Sequence, residues 1–403
     1  MYYLIEPLDN FFFRTSVPFE AGGETTAIES LDMPLPSVYA GAFKNLLGMN
    51  SGVDGKIQIG FNGLFLENEF LLPVPADLSW QEGTESDCGD SPKGDLERLG
   101  TMELTPKPVS NFPLKYCLCQ RGGHSKKKKE PKNLFMPDQE IEAYLNAEKA
   151  EFSGIDLDDR YLVKEEKVGI AVDAGSGTSK EHQLYQISMV RPAKDQELKL
   201  AADVRIRKRD MPGCKDKNKE TGGIHDSKTT GVVRFGGEGK LAFVKEGPCS
   251  LQIKVKQEDA KYFKIYLATP AIFEKGWLPG WVDENRLEGM FTFKERQVKV
   301  RLLAACVGRY IPCGGFGFDK EEDRYHPREM RFAVPAGSVY YFELLSGTFA
   351  DAVKLFHGKC MSDYRESKGF EYPKYKKYRY CDRGFGYALV GKLRKEQEEI
   401  IHG

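Results

Sequence analysis

The chain has 403 residues, enough for two domains that each bury a core of their own. Its 59 Lys and Arg residues nearly balance its 60 Asp and Glu residues, so the net charge neither demands nor excludes a polyanionic partner. No stretch approaches the roughly 20 apolar residues of a membrane span, and Met1–Glu6 lacks the basic start of a secretory signal. We therefore expect a soluble, cytoplasmic protein with no membrane partner.

The cysteine pattern argues against disulfides and against a metal centre. Nine cysteines, an odd number, fit reduced thiols better than a disulfide framework. None of the Cys and His groupings has the paired C-x-x-C or H-x-x-x-H spacing of a zinc site, so we expect no metal and no cofactor. The groupings considered are Cys117 and Cys119 with His124, Cys214 with His225, and Cys306 with Cys313.

The first elements are a strand and a helix. The strand Tyr2–Pro7 runs into an aromatic, glycine-containing loop over 11–23, which we expect to pack on the sheet or on a partner. A helix over 38–47 is predicted next, with Ser37 as its N-terminal cap and Gly48 at its end. Its buried stripe is predicted to contain Val38, Ala42, Phe43, Leu46 and Leu47.

The opposite face of this helix carries Ser37, Gly41 and Lys44 at i, i+4 and i+7. These residues are small or basic, which suits a phosphate approaching the start of a helix. An ordinary solvated face would carry the same residues, and the pattern alone leaves both interpretations open.

The middle of the chain mixes strands with polar loops. Residues 57–75 have the pattern of paired strands, whereas 81–97 is polar, acidic and rich in glycine, as in a surface loop. Two basic stretches, 121–129 and 205–230, are either solvated loops or segments that attract an RNA backbone. Between them, 168–173 and 183–191 alternate as the strands of a long hairpin with its tip at 174–178, which could wedge a nucleic acid strand.

The second half continues with strands and one strongly amphipathic helix. Strands are predicted over 298–307 and 331–345, and Thr348 is predicted to cap a helix that Gly358 ends. The segment 365–383 then interleaves tyrosines with lysines and arginines. Aromatic rings stack on unpaired bases and cations follow the backbone, so this segment indicates nucleic-acid binding. A tyrosine-rich edge that packs on another subunit is the alternative.

Two glycine loops with the same order of features lie about 150 residues apart. Arg234–Phe243 and Arg383–Gly391 each place a basic residue before paired glycines and an apolar strand. Glycine admits positive φ and the close approach of another backbone. Each loop is also preceded at a distance by an apolar strand and an aromatic, proline-containing loop. The repetition predicts two duplicated domains, although coincidence among many glycine loops would look similar.

The motifs resemble subunit three of the Cmr module, the type III-B CRISPR effector complex, in the RAMP superfamily. The resemblance spans nearly the whole chain, with the insertions near 81–160 as its divergent part. It is carried by 6–9, 12–14, 18–19, 34–42, 235–239, 269–271, 334–340 and 384–386. One departure is Lys44, where arginine is expected, because lysine keeps the charge but loses the bidentate phosphate geometry.

The resemblance implies an α+β protein of two tandem ferredoxin-like (RRM-type, RAMP) domains with loop insertions and a long β-hairpin. The predicted domains are 1–250, with insertions at about 81–160 and 205–230, and 251–403, which ends in the second glycine loop. The implied partners are the 5′ repeat-derived handle of a CRISPR RNA, the large polymerase-like subunit, the first backbone RAMP subunit and, indirectly, target RNA.

The RNA contacts follow from this resemblance together with the residue pattern. Arg234, Lys240, Lys377 and Arg383 are expected to contact phosphates. Backbone amides of Gly236, Gly237, Gly384 and Gly386 are expected to approach the handle, and Phe385 or Trp277 to stack. The full predicted RNA-binding set is Arg14, Ser37, Gly41, Lys44, Arg234, Gly236, Gly237, Gly239, Lys240, Trp277, Lys377, Arg379, Arg383, Gly384, Phe385, Gly386 and Gly391.

Two other function classes remain open at this point. An endoribonuclease of the same superfamily would need a histidine within reach of a 2′-hydroxyl. The six histidines are His124, His182, His225, His326, His357 and His402, and none lies on the first helix. His182, in the hairpin, fits a general base least badly, and the acidic cluster Asp156, Asp158 and Asp159 is typical of a solvated loop. The remaining alternative is a protein-only scaffold. We expect no catalytic residues.

Overall fold

The computed structural model describes residues 1–14, 27–48, 57–81, 96–106, 113–120, 133–157, 160–206, 230–319, 324–327, 329–363 and 379–402. Within them the chain is an α+β protein rich in strands. The elements of the first half are β1 (Tyr2–Pro7), β2 (Ala27–Glu29), α1 (Pro36–Leu46), β3 (Ile57–Leu66), β4 (Glu69–Pro73), β5 (Leu78–Gln81), β6 (Leu96–Thr101), β7 (Glu103–Pro106), β8 (Tyr116–Cys119), β9 (Leu134–Pro137), α2 (Asp138–Leu145), β10 (Glu151–Asp156), β11 (Leu162–Val172), β12 (Ser179–Pro192), β13 (Lys199–Ile206), β14 (Gly231–Arg234) and β15 (Leu241–Glu246).

The second half is built in the same style. Its elements are β16 (Tyr262–Leu267), β17 (Glu288–Phe293), β18 (Arg296–Cys306), β19 (Ile311–Cys313), β20 (Phe316–Asp319), β21 (Arg324–Pro327), β22 (Arg331–Ala333), β23 (Val339–Ser346), α3 (Phe349–Phe356), β24 (Lys359–Cys360), a 3-10 turn at Tyr380–Asp382, β25 (Tyr387–Lys392) and α4 (Lys395–His402).

Each half is organised around one antiparallel sheet. The first has the order β14-β15-β1-β13-β3-β4-β9-β10-β6-β5, and the second has the order β17-β18-β23-β16-β25-β24. At the centre of the first sheet β1 lies between β15 and β13, and β3 follows β13. The second sheet repeats this order, with β16 between β25 and β23, and β18 after β23.

Strand β1 is buried on both faces, and one of these faces packs against the second half. Tyr3 and Ile5 point into a core beneath α1, where the Tyr3 ring lies 4.9 Å from that of Phe43. Leu4 points to the other face, into a core shared with residues of the second half such as Tyr266 and Leu389. A strand that is buried on both faces has a continuous apolar run, which explains the absence of alternation in Tyr2–Ile5.

A polar cluster is buried in this joint. Asp77, from the first half, and Lys264, on β16, are each only 3% exposed. Their Oδ2 and Nζ atoms lie 3.9 Å apart, and Nζ lies 3.3 Å from the ring centroid of Tyr144. The hydroxyls of Tyr144 and Tyr341 both donate to the Asp77 carboxylate. Buried charges are tolerated when they are paired and hydrogen-bonded, so this cluster fixes how the halves meet.

The predicted helices form, with one correction at a cap. α3 begins at the N-cap Thr348 with a capping box to Asp351, and Gly358 follows it at φ +69°, as predicted. α1 starts two residues earlier than expected, because Pro36 takes the first helical position and Leu35 is the N-cap. Ser37 therefore lies inside the first turn and caps nothing. Gly48 follows the helix at φ +60°, as predicted.

The long hairpin is confirmed. β11 pairs with β12 from Leu162–Pro192 to Val172–Ser179, and the tip falls within 174–178. The aromatic loop after β1 also packs inward as expected in its described part, where Phe11, Phe12 and Phe13 are buried.

Two stretches differ from the sequence prediction. The region 81–160, expected to be insertion loops, supplies β6, β9 and β10 to the large sheet and also contains α2. The strand predicted over 331–345 is broken between β22 and β23 by a turn at 335–338. In that turn Gly337 has φ +89°, and a Cβ there would lie 2.6 Å from the Val74 carbonyl oxygen. Close packing against the first half thus interrupts the strand. In the part of the chain described, no helix has the length and hydropathy needed to cross a membrane.

Candidate nucleic-acid interface

The start of α1 leaves the Ser37 N–H without a backbone acceptor among the described residues, whereas the Val38 N–H donates to the Leu35 carbonyl oxygen at 2.9 Å. Leu35 makes no side-chain cap, Pro36 occupies the first position, and the first turn of this helix holds no acidic residue. Unpaired N–H groups and the helix dipole favour an anion at such an end. Ser37, Gly41 and Lys44 are half-exposed along the helix, and a Cβ at Gly41 would meet nothing within 4 Å.

The first glycine turn packs beside α1. The Gly237 amide donates to the Phe12 carbonyl oxygen at 2.8 Å, and the Phe235 amide donates to that of Lys240 at 2.9 Å. Gly236 has φ +92°, and a Cβ there would lie 2.7 Å from the Phe12 oxygen, so both the conformation and the space demand glycine. The turn remains partly accessible, since Gly236 and Gly239 are exposed.

An aromatic cluster joins this turn to its neighbours. The Phe235 ring lies 5.9 Å from Phe13 and 5.3 Å from Tyr39 of α1, measured between centroids. The cluster fixes the segment that carries Arg14, the end of β14 that carries Arg234, and the helix that carries Lys44. Arg14 and Arg234 are exposed and Lys44 is half-exposed.

Those three cations have no acidic partner among the residues described. Lys240 differs, because its Nζ lies 3.0 Å from Asp9 Oδ2, in an ion pair whose carboxylate is largely exposed. A surface pair of this kind contributes little to stability and is readily exchanged for another anion. Arg14, Lys44, Arg234 and the exposed glycines thus lie on elements that the aromatic cluster joins, and we call this set of residues the α1 surface.

The second glycine turn lies in a very different environment. Gly384, Phe385 and Gly386 are buried, and the Phe385 ring is only 1% exposed. The Gly384 carbonyl oxygen accepts hydrogen bonds from Asn62 Nδ2 at 3.2 Å and Thr269 Oγ1 at 2.7 Å. The Gly386 amide donates to the Pro270 oxygen at 2.7 Å.

This burial corrects the predicted role of the second turn. The Gly386 amide is already used, and the Phe385 ring has no free face on which a base could stack. Gly391 is also buried, because a Cβ there would lie 2.9 Å from Leu145 Cα in α2. Gly384 and Gly391 are needed because the halves approach closely, whereas Gly386 packs against Ser362 of its own half. None of the three lies on an exposed RNA surface.

The other predicted contacts are also scattered. Arg379 Nε pairs with Asp382 Oδ2 at 2.8 Å, and Arg383 is 9% exposed beside Ile59 of β3. Trp277 is partly buried against the hydrophobic core that is formed mainly by the second half. Lys377 and most of the Tyr/Lys segment fall outside the residues described, as do 121–129 and 207–229.

His357 is held as a neutral structural residue. Nδ1 accepts from the Val390 amide at 3.1 Å, so Nε2 carries the proton that it shares with the Ile253 oxygen at 2.9 Å. Desolvation lowers the pKa of His357, despite partial opposition from these bonds. His402 packs edge-on against Tyr262. His124 and His225 lie outside the described ranges, and nothing is described of the side chains of His182 and His326.

Metal-ligand chemistry finds no site in the portion of the chain that is described, since no group of three His, Cys, Asp or Glu side chains converges. Cys117 Sγ and Cys119 Sγ lie 3.8 Å apart and both contact Thr105 Oγ1.

Sequence reasoning missed the polar residues that hold the second turn. Asn62 and Thr269 both bond to the Gly384 oxygen, and Asn62 is only 6% exposed within β3. The available signal was an asparagine in the middle of the apolar run Ile57–Leu66, because a buried amide requires partners.

Comparison with known proteins places the chain in a family. The family described as "CRISPR-associated protein (Cas_Cmr3)" matches residues 3–393. Among solved structures, a chain of the type III-B Cmr-beta bound to cognate target RNA is similar at 15% identity and a TM-score of 0.47, covering 96% of this chain and 95% of that chain.

A second such chain, with cognate target RNA and AMPPnP, has 17% identity and a TM-score of 0.43, covering 85% and 86%. A chain of the Csm3-Csm4 subcomplex of the type III-A CRISPR-Cas interference complex has 10% identity and a TM-score of 0.31, covering 86% and 93%. A search of curated proteins finds no match. Because the family match extends over nearly the whole sequence, this protein belongs to the Cmr3 family of CRISPR-associated proteins.

Proposed function

We propose that this chain is a non-catalytic RNA-binding subunit of a type III-B CRISPR effector complex, which holds the 5′ repeat-derived handle of the CRISPR RNA. The observation that carries the proposal is the α1 surface, where three cations with no carboxylate partner among the described residues lie on elements that join an uncapped helix start and an exposed glycine turn. Such a surface suits the backbone of a single strand, because cations and helix N–H groups both favour phosphate.

The strand orders support a tandem ferredoxin-like architecture for the two halves. Numbering the four central strands of each half in chain order gives 4-1-3-2 for β15-β1-β13-β3 and again for β25-β16-β23-β18. We propose that the halves are the two RAMP domains, 1–250 and 251–403. Only the first half keeps its glycine turn accessible, so only that half would present the turn to RNA.

The partners proposed with this role are the large polymerase-like subunit and the first backbone subunit, with target RNA contacted indirectly and the complex acting in the cytoplasm. The contacts of His357 agree with a non-enzymatic role, because backbone groups occupy both of its ring nitrogens. A general base needs a free nitrogen that reaches the substrate.

The test is RNA binding by the full chain as a function of salt. The probe is a single-stranded RNA transcribed from a CRISPR repeat of the source organism, measured by filter binding. Replacing two of these cations, in the variant Lys44→Gln/Arg234→Gln, should weaken binding and lower the salt slope by about 1.4, since each phosphate contact to a single strand contributes about 0.7.

The matched control is Lys354→Gln/Lys395→Gln, which removes two exposed lysines from α3 and α4. The control should bind as the wild type does, with the same slope. A wild-type chain that does not retain RNA would favour the scaffold role, and an unchanged slope in Lys44→Gln/Arg234→Gln would refute the α1 surface. RNA that emerges shortened on a denaturing gel would favour the nuclease role.

A further inference from the structure

An exposed aromatic pair lies on the small ribbon formed by β19 and β22. The Tyr310 and Phe332 rings meet edge-on with centroids 4.6 Å apart, yet Tyr310 is 60% and Phe332 is 52% exposed. Large aromatic rings gain most from burial, so two of them exposed together on one face mark a binding surface.

The ribbon has an inner and an outer face. Its register pairs Ile311 with Ala333 and Pro312 with Phe332, so side chains alternate between the faces. Ala333 and Cys313 are buried on the inner face. Phe332 points outward, and Met330, two residues before it on the same face, is 40% exposed.

The inner face connects this ribbon to the α1 surface. Cys313 and Ala333 pack in one cluster with Phe385, and Leu35 is partly buried against the same cluster. Leu35 is the N-cap of α1. The inner face of the ribbon thus packs against the N-cap of α1, while the outer face stays exposed.

An exposed cation lies next to the pair in the sequence. Arg309 directly precedes Tyr310, is exposed, and has no carboxylate partner within the described ranges. Arg331 is less available, since its Nη2 bonds to Glu329 Oε2 at 2.8 Å. An exposed aromatic face on a segment that also carries an exposed arginine matches a nucleotide, whose base stacks while its phosphate pairs with the cation.

We propose that Tyr310 and Phe332 form a stacking site for one nucleobase of single-stranded RNA, with Arg309 on the adjoining phosphate. This inference rests on the proposed function, because it extends the path of the same RNA from the α1 surface onto the second half. Stacking is tolerant of sequence, so the site would position a base without selecting it.

The test uses the full chain and the same repeat-derived RNA. The variant Tyr310→Leu/Phe332→Leu keeps an apolar surface and removes both rings, and should weaken binding by roughly 5- to 150-fold, the range of one stacked base. Its salt slope should stay at the wild-type value, because no cation is lost. The control Met290→Leu/Phe293→Leu changes two exposed residues at the edge strand β17 and should bind normally.

A second readout locates the base. RNAs carrying 2-aminopurine at successive positions should show one position whose fluorescence is quenched by the wild type and restored in Tyr310→Leu/Phe332→Leu. Normal affinity in this variant, with the Lys44→Gln/Arg234→Gln variant still impaired, would overturn the stacking site alone. Loss of a protein partner with normal RNA affinity would also overturn it and assign the pair to subunit docking. A wild-type chain that binds no RNA would overturn both proposals.

Discussion

The substitution Asp77→Asn isolates the electrostatic part of the joint between the two halves. It keeps the volume of the side chain and removes the charge that faces Lys264. In the fold, burial lowers the pKa of Lys264 to about 8, although Asp77 opposes that shift. Without the carboxylate, the pKa falls further and the lysine becomes neutral.

The size of the effect depends on pH in a way that can be worked out. Keeping Lys264 protonated in the fold contributes at most RT ln(1 + 10^(8−pH)), which is about 3 kcal/mol at pH 6, about 1 kcal/mol at pH 7.5 and close to zero at pH 9.5. The hydroxyls of Tyr144 and Tyr341 should bond less strongly to the neutral amide than to the carboxylate. This loss should lower the free energy of unfolding of Asp77→Asn by about a further 1–3 kcal/mol at every pH. The deficit of Asp77→Asn should therefore shrink as the pH rises.

The sign follows from linkage. A lysine whose pKa is lower in the folded protein than in the unfolded chain binds its proton more tightly in the unfolded chain. The free energy of unfolding therefore rises with pH above the folded pKa. In Asp77→Asn this rise starts at a lower pH than in the wild type, which produces the difference between them.

The assay is urea unfolding of wild type and Asp77→Asn at pH 6, 7.5 and 9.5, with free energies from midpoint and slope. In a Lys264→Met background, adding Asp77→Asn should produce a deficit that does not change with pH, because the titrating group is absent from both proteins being compared. A deficit for Asp77→Asn of equal size at all three pH values would refute the pairing of Asp77 with Lys264.

Three further predictions concern stability and are checked by thermal unfolding. Gly386→Val should lower stability by at least about 1–3 kcal/mol, because φ is +76° and the added Cβ lies 2.9 Å from the Ser362 amide nitrogen. The control Gly239→Ala, at φ +66° in open space, should cost about 1 kcal/mol or less. Equal losses of stability in the two variants would contradict the packing at Gly386. With its lowered pKa, His357 should make the protein less stable as the pH falls from about 6.5 toward the folded value, and His357→Gln should flatten that dependence; an identical profile would disprove it. Thr348→Ala should cost about 1 kcal/mol through loss of the capping box, and no change would show that the cap is dispensable.

Local signals in the sequence predicted local structure well. Thr348 with Asp351 and Gly358 determined both ends of α3, because a cap and a stop act within one turn. The hairpin of β11 and β12 was equally visible, since alternation and a flexible tip are local features. The preference of proline for the first position of a helix was given too little weight against Ser37 as a cap, which shifted the predicted start of α1 by two residues.

Tertiary context could not be predicted in the same way. The motif Gly384–Phe385–Gly386 resembles the turn at Gly236, yet the first is buried and the second is accessible. What separates them is Asn62, more than 300 positions away in sequence, whose amide bonds to the Gly384 oxygen. No local pattern reports such a partner. Arg14, Lys44 and Arg234 were predicted as contacts one by one, but no local pattern shows that Phe235 packs against Tyr39 and so joins β14 to α1.

The anchoring of the second turn on β3 has a consequence for synthesis. Asn62 emerges from the ribosome early, while the Gly384 oxygen that it holds emerges 322 residues later. Domains usually fold in the order in which they are made. Here the face of the first sheet that receives Leu389 and Tyr266 stays uncovered until the last strand has been translated. A ribosome that stops before residue 384 therefore releases a fragment with an open apolar face, a substrate for chaperones and proteases.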